Sequence, residues 1–126
     1  MSTRFHVFLK SYTSSFSFAL QGISIAWREE RQFRVESWAA ACAIALSFAL
    51  NISHEEFLAV IAVIGLVLTA ELFNTALEEL CDKFQSEHDP HIGKIKDLSA
   101  AAVLAASGAA ALTGIFIFLP HMLPSL

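Results

Sequence analysis

The chain has little of what marks a small soluble domain or a nucleic-acid binder. Only 16% of its 126 residues are charged, so a surface able to keep an ordinary soluble domain in water is missing. Two cysteines cannot form a disulfide framework; Cys42 and Cys81 both lie within apolar patterns and read as small core residues. The eight basic residues form no patch interleaved with aromatics, which excludes nucleic acid as a partner. No glycine-rich phosphate loop occurs. No repeat, linker or low-complexity tract points to a second domain. The N-terminal stretch has neither the gathered apolar run nor the small-residue cleavage site of a secretory signal.

What the chain has in excess is apolar surface: 56% of its residues are hydrophobic and the mean hydropathy is +0.58. A membrane protein is the expectation. LSAAAVLAASGAAALTGIFIFL, Leu98 to Leu119, would form a helix about 33 Å long, enough to cross a hydrocarbon core. A second apolar segment begins at Phe57, is interrupted by Glu71, and keeps helical periodicity to about Phe84. A third, SWAAACAIALSFALNI, Ser37 to Ile52, is short and alanine-rich. Its flanks decide its reading. Arg4, Lys10, Arg28, Arg31 and Arg34 precede it, and Lys83, Lys94 and Lys96 lie between the other two segments. Three spans place both groups on one face, and that face is cytoplasmic, with the C-terminus outside. Before the first span, Phe5, Phe8, Leu9, Tyr12, Phe16, Leu20, Ile23 and Trp27 recur at helical steps opposite Lys10, Ser14, Ser17, Gln21 and Arg28. This is the pattern of an amphipathic helix lying in the interface or packed on the protein's own spans. The expected architecture is therefore all-α, one integral-membrane domain over residues 1–126. The surface helix is placed at about 5–30 and the spans at about 35–52, 56–82 and 97–120. Rows of small residues such as Ala101, Ala105 and Ala109 suit close helix approach in an oligomer or any bundle.

The stretch AELFNTALEELCDKFQ carries the chemistry. At about 100° per residue, Asn74 lies roughly 60° from Glu71, and Glu78 and Asp82 about 20° to either side of it, so the four share a stripe. Glu79 and Asp82 suit a solvated helix end. Glu71 does not, because it follows an unbroken apolar run, and an ionisable group at that depth usually marks a site. Glu71 and Glu78 are two turns apart, roughly 10 Å along the axis, and cannot share a proton as a close dyad would. The deeper one suits accepting a proton from a membrane-borne substrate, and the shallower one suits holding a hard cation, with Glu29, Glu30 or Glu36 supplying further oxygen. With Lys94 and Lys96 nearby, the set fits phosphoryl transfer. A small channel or proton-relay subunit would also hide glutamates on a helix, but would need neither the lysines nor Glu30. His88, Asp89 and His91 sit in a Pro-containing charged loop that reads as solvated rather than as a metal site.

ELFNTALEELCD followed by KDLSAAAV, with GISIAWREERQF upstream, resembles the motif set of the small prokaryotic integral-membrane lipid kinases that act on diacylglycerol and undecaprenol. The likeness runs from Gly22 to Pro120. It implies a homotrimer of three-span chains with an N-terminal surface helix, at the bacterial inner membrane, using ATP as co-substrate and Mg2+. It implies Glu71 as general base for the lipid hydroxyl, Asn74 as an orienting residue, and Glu30 and Glu78 as ligands of the magnesium bridging the ATP phosphates. Lys96 would contact phosphate, Asp97 and Glu87 the nucleotide, and Trp27 and Glu36 the lipid substrate. Asp89 stands where the family often has histidine, and Ser11 where it tends to have a basic residue, leaving Lys10 or Arg4 to serve. The ERQF block, NTALE and the closing IFIFLP look more like undecaprenol kinases than diacylglycerol kinases, so undecaprenyl phosphate is the expected product and phosphatidic acid the alternative.

Overall fold

The computed structural model describes residues 2–84 and 89–124. They form four helices: α1 (Ser2–Glu29), α2 (Arg31–Ala49), α3 (His54–Phe84) and α4 (Pro90–Met122). No strand occurs among the described residues. Thirty-one residues of α3 and 33 of α4 correspond to about 46 and 50 Å of helix, and both are long and apolar enough to cross a membrane. The 19 residues of α2 span about 28 Å and begin with Arg31, Arg34 and Glu36.

α3 and α4 make the principal contact, α2 packs on α3, and α1 touches α2 and α3. The contact face of α3 is readable as a three-four stripe: Val60, Ile64, Val67, Glu71, Asn74, Glu78 and Cys81, all buried or half-buried. α4 answers with small residues. Ser99 and Ala106 are buried and Ala110 and Thr113 half-buried along its facing side, which lets the two helix axes come close. Away from these seams the side chains are large, apolar and bare, among them Phe73, Leu104 and Phe116. The accessible surface of 9495 Å² exceeds the roughly 6,600 Å² of a compact soluble chain of this mass, so hydrocarbon or further copies of the chain must cover the difference.

The connections have identifiable causes. At the end of α2, Asn51 takes a left-handed conformation with φ 50°, its N–H donating to Phe48 O and that of Ile52 to Ser47 O. This closes the helix as a Schellman turn, with asparagine in the place glycine usually fills. Two residues on, Ser53 and Glu56 form a reciprocal capping box: Glu56 Oε2 accepts from Ser53 N at 2.7 Å and Ser53 Oγ from Glu56 N at 3.2 Å. Glu56 also lies 3.5 Å from His121 Nε2 near the end of α4. There Pro120 has no N–H to offer, and the helix stops at Met122. At its other end α4 starts on Asp89, whose Oδ1 accepts from His91 N at 2.8 Å, with Pro90 in the first turn. The corner between α1 and α2 contains neither glycine nor proline. Glu30 leaves the helical conformation there, and Arg34 Nη1 reaches back to the carbonyls of Trp27 and Arg28 at 2.8 and 3.0 Å, satisfying acceptors that the end of α1 leaves open. The rings of Trp27 and Trp38 meet across this corner at 6.3 Å.

Candidate functional site

The buried stripe of α3 changes character along its length. From Val60 to Val67 it is apolar; beyond that the same positions hold Glu71, Asn74 and Glu78. The helix thus delivers carboxylates into a seam that packing alone would fill with valine or leucine. Glu71 is only 4% exposed, and its Oε1 has no hydrogen-bond partner among the described residues. Leaving such a group unpaired costs roughly 1–3 kcal/mol. The charged groups that bear on it are Glu36, then Glu78, then Glu30, so α2 and the α1–α2 corner bring acids to the acid of α3. Four carboxylates gathered at one end of a bundle repel one another unless a cation answers them.

Each carboxylate is held differently. Glu30 is half-buried at the N-cap of α2 yet makes no capping bond, and its side chain has no hydrogen-bond partner among the described residues. Glu36 accepts from Gln32 Nε2 at 3.1 Å and helps line a cavity of about 150 Å³ between α2, α3 and α4, together with Ala39, Ala43, Val67, Gly114 and Phe118. Glu78 is half-buried one turn from Asp82. Among the described residues no three His, Cys, Asp or Glu side chains are arranged to hold a metal by themselves. Magnesium does not require that, since it commonly takes one or two carboxylates and completes its shell with phosphate and water. The uncommitted carboxylate of Glu30 and the half-buried one of Glu78 fit such a role.

The single stripe seen in the sequence divides in three dimensions. Glu71 is absent from the groove on the side of α4 that Asn74 lines with Ile95, Leu98, Ser99 and Ala102, and Glu36 of α2 is the charge that bears on it most. Asn74 Oδ1 is likewise buried without a partner. Thr75 faces α1, in a groove with Ala19, Gly22 and Ala26. Lys96, on the first turns of α4, is also brought to this end. Its Nζ donates to Asp82 Oδ1 at 2.7 Å, which holds the ammonium above the usual lysine range and keeps it charged. Asp97 is exposed on the next position, and Trp27 is 42% exposed at the corner. Asp89 gives one oxygen to the cap of α4. Glu87 lies outside the described residues. Sequence reasoning missed the Asp82–Lys96 pair and the grip of Arg34 on α1; both link different helices, and no spacing signal within one helix reports them.

One buried acid with an unpaired oxygen, half-buried acids acting on it and two helices suited to a membrane are compatible with a membrane enzyme that handles phosphate. Residues 17–118 match the family model described as prokaryotic diacylglycerol kinase. The chain is 34% identical over 115 residues to an undecaprenol kinase of Bacillus subtilis, covering 90% of this chain and 93% of that one. It is 33% identical over 93 residues to a diacylglycerol kinase of Haemophilus influenzae, 74% of this chain and 79% of the relative. Against a diacylglycerol kinase of Escherichia coli the identity is 30% over 104 residues, 82% and 85% of the two chains. The chain belongs to the prokaryotic diacylglycerol kinase family.

Proposed function

We propose that this protein transfers the γ-phosphoryl group of ATP to the primary hydroxyl of undecaprenol, forming undecaprenyl phosphate at the cytoplasmic face of a bacterial inner membrane. The observation that carries this reading is Glu71: a carboxylate sealed into an apolar seam, with one oxygen unpaired and three further acids acting on it. Counted from Phe57, about 20 residues of helix span a hydrocarbon core, which puts Glu71 inside the core and Glu78 at its edge. A lipid alcohol is the substrate whose hydroxyl reaches that depth.

In this scheme Glu71 accepts the proton of the lipid hydroxyl as the hydroxyl oxygen attacks the γ-phosphorus, and the bond from that phosphorus to the β–γ bridging oxygen breaks to release ADP. Asn74 orients the groups around it. Glu30 and Glu78 would hold the Mg2+ ion, which when bound neutralises charge on the nucleotide phosphates. Lys96 supplies a fixed positive charge on the same side. Glu87, Asp89 and Asp97 flank the nucleotide, and Trp27 and Glu36 contact the lipid. The α2 helix makes a third crossing beside α3 and α4, with α1 along the surface, the N-terminus cytoplasmic and the C-terminus outside. The assembly is a homotrimer built of one such domain per chain, which would cover the bare apolar faces of α3 and α4.

The Bacillus subtilis relative that matches 90% of this chain is named undecaprenol kinase, and the sequence details of the ERQF block agree. Diacylglycerol is the second reading, favoured by the names of the Haemophilus and Escherichia relatives. Purified protein in detergent, given MgATP and either lipid, separates the two. ADP release that depends on undecaprenol and exceeds that with diacylglycerol supports the first; the reverse order transfers the assignment to diacylglycerol. Release with neither lipid rejects both.

A further inference from the structure

We propose that Asp82 is a positioning residue for the reaction: it fixes the ammonium of Lys96 so that its remaining N–H groups point at the nucleotide phosphates. This rests on the kinase reading above. Asp82 occupies the last turn of α3 and Lys96 the first turns of α4, 14 residues further along the chain, and the two meet at 2.7 Å. Glu78, one turn before Asp82, acts on the same ammonium. The acid that holds Lys96 thus follows the acid assigned to the cation by one turn of the same helix.

An ion pair whose side chains are 38% and 66% exposed adds little to stability, so holding the helices together does not account for it. Its consequence is geometric. Lysine is a compact charge on a flexible stem, and a free one samples many rotamers. A bond to Asp82 uses one of its three donors and leaves two for phosphate oxygens. Phosphoryl transfer gains chiefly from positioning and charge neutralisation, so a lysine already aimed needs no ordering when the nucleotide arrives. The opposite role, in which Asp82 sequesters Lys96 from the nucleotide, predicts the opposite sign in the experiment.

The test is steady-state kinetics in detergent with MgATP and the better lipid. Asp82→Asn is expected to raise KM for MgATP about tenfold, with KM for the lipid unchanged. Asp82→Glu, which keeps the charge, should recover most of that loss. In a Lys96→Met background, Asp82→Asn should add no further rise, because the group it positions is gone. An unchanged or lowered KM for MgATP in Asp82→Asn overturns the proposal, as does an equal rise with and without Lys96. Elution of each variant as the wild-type assembly checks folding, and the Asp82→Glu pair, with and without Lys96, repeats the comparison should the asparagine variant not fold. Wild-type protein that turns over no lipid defeats the kinase reading itself; wild-type turnover with an indifferent Asp82 defeats only this inference.

Discussion

The two ends of the α3–α4 pair handle polar groups in opposite ways. At the α2–α3 turn the polar groups described are matched to partners: Asn51 and Ile52 N–H groups close α2, Ser53 and Glu56 cap α3, and Glu56 reaches His121 on α4. At the other end, Glu71 Oε1 and Asn74 Oδ1 are buried and unpaired, and acids crowd together. The chain places exact partners at the turn, and the unpaired atoms at the other end are what the proposed site, with partners from outside the chain, accounts for. Polar residues at the turn serve the fold, and under the proposed function those at the acid end serve the reaction.

Substitutions should therefore separate cleanly by end. The largest effect is expected at Glu71: Glu71→Gln should lower lipid-dependent ADP release about a thousandfold, within the range of a lost general base, with the oligomer's elution in detergent unchanged. A near-normal rate would remove Glu71 from that role and break the contrast at its strongest point. Chelation with EDTA should stop turnover and added magnesium restore it. Glu78→Gln should then shift the magnesium dependence upward by about tenfold or more, as loss of a carboxylate ligand would; an unaltered titration argues against Glu78 as a ligand. At the turn, Ser53→Ala should cost about 1 kcal/mol of stability, seen as a lower thermal midpoint in detergent, while kcat and both KM values stay put. Smallest of all, His121→Ala should cost only a few tenths of a kcal/mol, as expected for one partly exposed pair. Loss of turnover in either turn variant without loss of folded protein would show the two ends to be less separate than their bonding suggests.

Much of this was legible along single helices. The apolar runs and the spacing of Glu71, Asn74 and Glu78 follow from helical period alone, and the four-helix, strand-free character of the described residues agrees with them. Period fixes a residue's angle about its own axis but not the neighbour it meets. That is why Asn74 lines the groove with α4 while Glu36 of α2 is the charge that bears most on Glu71, although Asn74 and Glu71 lie on one stripe of the sequence. It is also why the contact of Glu56 with His121 and that of Asp82 with Lys96 were out of reach. Each joins residues on separate helices, and a single sequence records no such pairing.

The corner at Glu30 has a mechanical meaning. Because Arg34 of α2 holds two carbonyls at the end of α1, α1 is bolted to the following helix like a bracket rather than hung from it by a hinge. A change of tilt in α2 would swing α1 and carry Glu30, the residue between them, along with it.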